Sequence, residues 1–186
     1  MFRAIRVWSH RTIMTENIAA IILAAGKGTR MKSDLPKVLH PIASVPMIGH
    51  VLNALAELGV QRRVVVIAPG DDAVPEYVAP VETVVQEVPR GTADAVKAAR
   101  PLLDGISGTV LVLFGGDPLY TPETMARMVA MREGGDRTAV VVAGFETVSP
   151  HGYGRLILDA DGGLRRSSRP LNSHPSKLTS VSATAG

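Results

Sequence analysis

The chain of 186 residues contains no cysteine, few aromatic residues (4%) and no long hydrophobic run. Without cysteine there is no disulfide, no thiolate nucleophile and no zinc site of the usual cysteine type, so any catalysis must use carboxylates, histidine, hydroxyls or electrostatic stabilisation of phosphate. Apolar runs such as residues 18–25 are much shorter than the roughly 20 residues that span a bilayer. These absences favour a soluble protein of the reducing cytoplasm, with no membrane partner.

The basic charge of the chain is confined to its two ends. A formal net charge of +3 and a pI of about 9.5 would ordinarily indicate a nucleic-acid partner. The cations outside the body of the chain are Arg3, Arg6, Arg11, Arg169 and Lys177. With these five of the 20 Lys and Arg set aside, 15 remain against 17 Asp and Glu. The body is therefore mildly acidic, and we expect no nucleic-acid partner.

Composition also divides the chain into three segments. Residues 1–13 lack the apolar core and cleavage site of a signal peptide, and we expect them to be a non-native or disordered extension before a natural start at Met14. Residues 14–166 are expected to form one domain. Residues 167–186 are rich in Ser, Thr and Pro without periodicity, which predicts disorder.

Within the body, apolar strands alternate with amphipathic helices. The predicted strands are 18–23, 63–68, 81–86, 109–114, 138–145 and 154–158, and the predicted helices are 47–58, 92–103 and 122–133. Strands that are apolar on both faces predict an α/β fold with a mostly parallel sheet and helices on both faces. Ligands of such sheets bind at the carboxyl ends of the strands. In the last helix, Met125, Met128 and Met131 have the spacing of core residues.

A glycine-rich loop follows the first strand directly. Residues 23–31 read LAAGKGTRM, and Pro36-Lys37 follow shortly after. Two glycines at i and i+2 let the backbone approach a phosphate, and Lys27, Arg30 and Lys37 supply positive charge. The loop is not a P-loop, because it lacks the pattern G-x-x-x-x-G-K-[ST]. It is not a dinucleotide fingerprint either, because Met31 stands where that motif needs a third glycine. An ordinary strand-to-helix turn is the alternative, but the combination predicts a polyphosphate site.

Several further motifs carry a family resemblance. They are SDLPKVLHPIA (33–43), PMIGHVL (46–52), QEVPRGTA (86–93), LFG (113–115) and GYGR (152–155). With the glycine-rich loop, they make residues 18–166 resemble the uridylyltransferase domain of the bifunctional N-acetylglucosamine-1-phosphate uridylyltransferase/glucosamine-1-phosphate acetyltransferases. The resemblance implies a Rossmann-like nucleotidyltransferase fold. Related sugar nucleotidyltransferases share the first motifs, but VLHPIA and YGR favour the N-acetylglucosamine branch.

The resemblance also implies a reaction. N-acetylglucosamine 1-phosphate would attack the α-phosphorus of UTP, releasing pyrophosphate and forming UDP-N-acetylglucosamine, a cell-envelope precursor, with Mg²⁺ as cofactor. Because the sugar phosphate is itself the nucleophile, catalysis reduces to positioning and to neutralising charge on the transferring phosphate. That chemistry suits a chain without cysteine. The oligomeric state is not assigned.

Site residues are carried over from the family by position. Arg30 would bind the β- and γ-phosphates and Lys37 the α-phosphate in the transition state, although Lys37 could instead be a solvated loop lysine. Gln86 would pair with uracil, and the Gly154 backbone would contact the amino sugar unless it is only a hairpin glycine. The remaining binding residues are Leu23, Ala24, Ala25, Gly26, Gly91, Thr92, Phe114 and Gly115.

The expected metal ligand is displaced by one residue. The family's strand ends in YGDxPL, and its aspartate binds Mg²⁺, whereas this chain reads FGGDPL at 114–119. Gly116 therefore occupies the aspartate position and Asp117 comes one residue later. Neighbouring strand residues point to opposite faces, which leaves a metal role for Asp117 open. A second acidic stretch, from Asp159 to Gly163, predicts a hairpin turn rather than a metal motif.

The C-terminal end departs from the family after residue 166. The family continues with a V-E pair, an N-[ST]-G motif and an acetyltransferase domain, and none of these follows here. One hypothesis is an out-of-frame tail, because back-translation from Arg166 with free codon choice permits VVEALELTPEQTDIRLCNSG. Truncation would expose a sheet edge. The alternatives to an active enzyme of this family are an inactive nucleotide-binding remnant or another sugar-phosphate or cofactor nucleotidyltransferase.

Overall fold

Ten strands and four α-helices make up the computed structural model, which describes residues 17–26, 28, 31–134, 138–145, 154–159, 163–168 and 181–184. The strands are β1 (Ile18–Leu23), β2 (Pro41–Ile42), β3 (Val45–Pro46), β4 (Arg62–Ile67), β5 (Glu82–Val85), β6 (Thr109–Phe114), β7 (Val140–Val142), β8 (Arg155–Leu158), β9 (Leu164–Ser168) and β10 (Val181–Thr184). The helices are α1 (Met47–Glu57), α2 (Ala73–Val78), α3 (Thr92–Ala99) and α4 (Pro122–Glu133). Short 3-10 turns lie at Lys37–Leu39 and Arg100–Leu103.

The main sheet has the strand order β5-β4-β1-β6-β10-β7. Its first four strands are parallel, which confirms the predicted α/β fold. Leu23, the last residue of β1, is in register with Val66 on one side and Phe114 on the other. The carboxyl ends of the central strands therefore finish at one level, which is where a ligand site is expected.

Hydrophobic cores cover both faces of this sheet. On one face, Ile22 of β1 belongs to a cluster with residues of α1, α2 and α4, including Ile48 and Met125. On the other face, Ile21 belongs to a cluster that includes Ala95 and other α3 residues. Successive strand residues point to opposite faces, so the continuous apolar sequence of β1 serves both clusters. Helices on both faces, as predicted, follow from this pattern.

The C-terminal strands differ from the expectation of a disordered tail. β10 lies between β6 and β7 and is antiparallel to both. β9 extends to Ser168 and pairs with β8 in a separate hairpin. The edge of β6 that truncation was expected to expose is thus paired with β10, whose backbone satisfies the donors and acceptors that an open strand edge offers. Residues 1–16 and 169–180, where most of the predicted extension and tail lie, are outside the described residues.

Most predicted elements are present with small differences at their ends, but the strand predicted at 138–145 extends only over Val140–Val142. β2, β3, α2, β9 and β10 were not predicted, and the predicted helix at 92–103 is α-helical only to Ala99 before the 3-10 turn containing Pro101. Met125 and Met128 are buried, but Met131 is 62% exposed, so its predicted core role is wrong. At the predicted hairpin from Asp159 to Gly163, of which residues 160–162 lie outside the described residues, Asp159 N donates to Gly163 O (2.9 Å) and the flanking strands β8 and β9 pair antiparallel. In the part of the chain that is described, no helix is long and apolar enough to cross a membrane.

Candidate active site

The loops that follow β1, β5 and β6 meet at the carboxyl edge of the parallel strands. Three backbone hydrogen bonds tie them to neighbouring strands, from Ala24 N to Val66 O (2.8 Å), from Gln86 N to Ile67 O (2.9 Å) and from Gly115 N to Leu23 O (2.9 Å). These bonds continue the ladder of the sheet beyond the last strand residues. The site is therefore built on rigid backbone, which favours accurate positioning of bound groups.

Lys37 bridges the glycine-rich loop and the end of β6. Its backbone begins a 3-10 turn whose Val38 and Leu39 are buried and anchor it to the core. A Cβ atom added at Gly28, which has φ +57°, would lie 2.8 Å from Lys37 Cβ. A Cβ atom added at Gly116 would lie 2.8 Å from Lys37 Nζ. The half-buried side chain of Lys37 thus runs from one loop to the other, and its ammonium group lies at the end of β6.

Gly115 fits a space that admits no side chain without adjustment. A Cβ atom there would lie 3.3 Å from each of Ile22 Cγ2, Leu23 O and Val38 Cγ1. Those three atoms belong to β1 and to the turn that carries Lys37. Glycine at this position therefore lets the end of β6 pack closely against the first loop.

Asp117 lies in the turn that follows β6. Its backbone N–H donates to Phe114 O (3.1 Å), and its Oδ2 accepts a hydrogen bond from the Tyr120 hydroxyl (3.4 Å). At the preceding residue, Gly116, the space for a side chain is taken by the ammonium end of Lys37. Among the described residues there is no group of three or more His, Cys, Asp or Glu that could hold a metal ion.

Gln86 is the buried polar residue of the site, with only 5% of its surface exposed. Its Nε2 donates to Gly91 O (3.2 Å) and to Asp94 Oδ2 (3.1 Å), both at the start of α3. Gly91 has φ +115°, a backbone conformation that favours glycine, and Thr92 follows it as the first residue of the helix. The predicted base-binding residues are thus in direct contact. Asp94 was not singled out from the sequence, although a carboxylate in the first helical turn after Gly-Thr could have suggested it.

The remaining predicted residues divide into three groups. Leu23, Ala24, Ala25, Gly26 and Phe114 lie at the same carboxyl edge. Arg30 and Lys27 lie outside the described residues. Gly154 directly precedes β8, in the separate β8–β9 hairpin, where Leu156 approaches Gly144 closely. Those predicted nucleotide residues that the structure describes thus lie on the main sheet, and the predicted sugar residue lies in another element.

A cavity of about 380 Å³ lies at the opposite edge of the sheet, where β4 and β5 begin. Its lining includes Arg62, Arg63 and Glu82. The Arg62 guanidinium donates to Leu102 O from both Nε (3.1 Å) and Nη2 (2.7 Å), which is a structural role. None of the predicted site residues lines this cavity.

The sequence matches one protein family model and many curated proteins. The model, described as a MobA-like NTP transferase domain, matches residues 20–173. The chain is 54% identical to the bifunctional protein GlmU of Rhodospirillum rubrum over 144 residues, which cover 77% of this chain and 32% of that protein. It is 53% identical to the bifunctional protein GlmU of Parvibaculum lavamentivorans over 157 residues, covering 82% of this chain and 34% of that protein.

These matches confirm the family resemblance read from the motifs. The chain spans about a third of the length of the curated relatives it matches. The matched region holds the parallel sheet, the glycine-rich loop, Lys37 and Gln86. This chain therefore belongs to the MobA-like NTP transferase domain family, and it is similar to the bifunctional GlmU proteins.

Proposed function

We propose that the chain binds UTP and N-acetylglucosamine 1-phosphate and forms UDP-N-acetylglucosamine and pyrophosphate. The observation that carries this proposal is the position of the Lys37 side chain between Gly28 and Gly116, at the carboxyl edge of the parallel strands. A cation at that place, beside a glycine-rich loop, suits a polyphosphate ligand. Among the substrates of nucleotidyltransferases, the resemblance of the motifs to the uridylyltransferase domain favours UTP and the amino-sugar phosphate.

In the proposed reaction, a phosphate oxygen of the sugar phosphate forms a bond to the α-phosphorus of UTP while the bond to the leaving pyrophosphate breaks. Lys37 offsets the charge that develops on the α-phosphate, and Arg30 is assigned to the β- and γ-phosphates. The backbone at residues 23–26 and the pair Gln86 and Gly91 hold the nucleoside. Chemistry then depends on positioning and electrostatic stabilisation, both of which are greatest in a rigid site.

Mg²⁺ would supply additional charge neutralisation at the phosphates, and its requirement stays a prediction. The described residues do not form a metal site by themselves, because the ammonium end of Lys37 lies where a side chain at Gly116 would project and Asp117 is hydrogen-bonded to Tyr120. UTP affinity measured with and without Mg²⁺ tests the requirement, and an affinity that does not change argues against Asp117 as a ligand.

The variant Gly116→Asp sharpens this test, with Gly116→Ala as its control. Both variants add a Cβ atom that displaces the flexible end of Lys37, but only Asp adds a carboxylate. We expect Mg²⁺ to strengthen UTP binding more in Gly116→Asp than in Gly116→Ala. Equal behaviour of the two variants would mean that position 116 has no influence on the metal.

Release of pyrophosphate tests the function as a whole. The assay pairs UTP, CTP, ATP or GTP with N-acetylglucosamine 1-phosphate, with glucose 1-phosphate, or with no acceptor. Release with UTP and N-acetylglucosamine 1-phosphate alone supports the proposal. Release with a different pair selects another nucleotidyltransferase activity.

UTP binding without release selects the second candidate, an inactive nucleotide-binding remnant. That candidate is favoured by the absence of a carboxylate at position 116, where this chain has glycine. If the enzyme is active, its product is a precursor of cell-envelope polymers, and we place the protein in the cytoplasm where UTP is available.

A further inference from the structure

The carboxamide of Gln86 is held in one orientation by two acceptors at the start of α3. Its Nε2 donates to Gly91 O at 3.2 Å and to Asp94 Oδ2 at 3.1 Å. A carbonyl and a carboxylate oxygen can only accept, so both contacts require the NH₂ end of the carboxamide. Turning the group by 180° would bring Oε1 against two oxygen atoms. The contacts therefore fix Nε2 toward α3 and direct Oε1 away from it.

Local structure holds each partner of this arrangement in place. Gln86 is 5% exposed, and its own backbone N–H is bonded to Ile67 O at the end of β4. Gly91 O also accepts from Ala95 N (3.2 Å), the first hydrogen bond of α3. Asp94 lies in the first turn of this helix, where a carboxylate is stabilised by the helix dipole. A carboxamide so enclosed has little freedom to turn.

We propose that Asp94 is a positioning residue that makes Gln86 present a hydrogen-bond acceptor to the base, so that the site favours uracil over cytosine. This inference rests on the proposed function, in which Gln86 contacts the base of the nucleotide. Among the described residues, Oε1 of Gln86 receives no hydrogen bond. It is thus the atom left to meet a ligand.

The chemistry of the two pyrimidines gives the selectivity. Uracil carries a hydrogen on ring nitrogen N3, which can donate to Oε1, whereas N3 of cytosine is an acceptor and would oppose it. A carboxamide free to turn could offer Nε2 to cytosine instead. When the carboxamide of Gln86 is fixed, its Oε1 and N3 of cytosine, both acceptors, would face each other. The fixed orientation therefore disfavours cytosine.

Two variants of Asp94 separate its hydrogen bond from its charge. Asp94→Leu removes the acceptor for Nε2, and Asp94→Asn removes the charge but retains a carbonyl oxygen that can accept. Calorimetric titration of the full chain with UTP and with CTP gives the affinity ratio for each protein. We expect the ratio in favour of UTP to fall about three- to tenfold in Asp94→Leu, the range for one hydrogen bond. It should stay within about twofold of the unmodified chain in Asp94→Asn.

A second measurement needs no nucleotide. The side-chain NH₂ protons of Gln86 should exchange slowly with solvent in the unmodified chain and in Asp94→Asn. In each of these two proteins the NH₂ group can donate to an oxygen of residue 94 and to Gly91 O. In Asp94→Leu we expect exchange to be several-fold faster. Helix α3 could also be loosened by the substitution, but that change would weaken UTP and CTP binding alike and leave their ratio unchanged.

The outcomes distinguish this inference from the function on which it rests. Failure of the unmodified chain to bind either nucleotide would overturn the proposed function, and the base selectivity with it. A UTP preference that is the same in Asp94→Leu as in the unmodified chain would overturn the role of Asp94 alone. A preference lost equally in Asp94→Leu and Asp94→Asn would assign the effect to charge and contradict the orientation argument.

Discussion

The two ends of the main sheet are built differently. Strands β5, β4, β1 and β6 are parallel, and β1, β4 and β6 each have six residues that are mostly buried. Beyond β6, β7 has three residues, β10 has four, and the residues of β8 are exposed throughout. The parallel half contains both hydrophobic clusters and the predicted nucleotide residues. The nucleotide side of the site thus has its own core, whereas the element with the predicted sugar residue has little core of its own.

The largest expected difference between the halves concerns stability. Ile22 of β1 is fully buried, and Ile157 of β8 is 37% exposed. Ile22→Ala removes apolar contacts and leaves a cavity, costing about 2–5 kcal/mol, while Ile157→Ala, at a partly buried side chain, should cost only about 1–2 kcal/mol. Urea denaturation of both variants measures the free energy of unfolding. Equal losses would mean that the hairpin contributes as much as the parallel core.

The second comparison concerns ligand affinity. Replacing Lys37 by Met removes a charge-assisted contact to phosphate, and we expect UTP affinity to fall about ten- to a hundredfold. Lys97→Met, which removes an exposed lysine on α3, should leave UTP affinity unchanged. Gly154→Val is expected to weaken N-acetylglucosamine 1-phosphate binding without affecting UTP. If Gly154→Val weakened UTP as strongly as Lys37→Met does, the division of the site between the two halves would be wrong.

The third comparison concerns the strand that joins the halves. β10 pairs with β6 on one side and β7 on the other, through Ala183 opposite Val110 and Val140. Ala183→Pro removes a backbone donor and places a ring in a central strand, at an expected cost of about 1–2 kcal/mol. Ala183→Val, which keeps the donor, is the control.

Amide hydrogen exchange measures whether the loss of stability in Ala183→Pro is confined to the neighbours of β10. Amides of β6 alternate between its two neighbours, β1 and β10. In Ala183→Pro we expect faster exchange only for the β6 amides that face β10, with those facing β1 still protected. Equal acceleration of all β6 amides would indicate global destabilisation, and no acceleration would contradict the pairing of β10 with β6.

Sequence patterns predict the parallel half well, because its signals are strong and local. Buried strands such as Ile18–Leu23 and Thr109–Phe114 are continuous apolar runs, and their predicted bounds agree with the structure. The predicted bounds of the capped helix Pro122–Glu133 likewise agree with the structure. Gln86 lies at the end of a short strand and is also a predicted ligand-binding residue. The sequence pattern predicts where Gln86 lies but not which residue its side chain contacts. The contact with Asp94 depends on how α3 packs, which no local signal specifies.

The C-terminal strands are harder to predict because their partners determine them. The sequence VSAT at 181–184 has no strong strand signal of its own beyond one or two β-branched residues, and its pairing depends on an open edge at β6. β9 has the sequence LRRSS, which is too polar for the periodicity of a buried strand. Its pairing with β8 follows from the turn, where Gly163 N donates to Asp159 Oδ1 (2.6 Å). Tertiary context, rather than propensity, decides these elements.

The smallest expected effect lies at the start of α4, the helix that connects β6 to β7. Thr121 is the N-cap, and its side chain accepts a hydrogen bond from Thr124 N (3.2 Å). A hydrogen bond from its own backbone, and then one from the Thr121 side chain, lower the pKa of Glu123. A carboxyl group whose pKa is lower in the folded state stabilises the fold above its unfolded-state pKa, and this contribution is lost as the pH falls through the folded-state pKa.

Thr121→Ala should therefore have two consequences, and Thr121→Ser neither. Loss of the cap is expected to lower the free energy of unfolding by about 1 kcal/mol at neutral pH. The pKa of Glu123 should rise toward its ordinary value, though only in part, because the larger backbone contribution remains. NMR titration of Glu123 and urea denaturation at neutral and acidic pH measure the two effects. A Glu123 pKa that is the same in Thr121→Ala and Thr121→Ser would show that the cap and the carboxylate act independently.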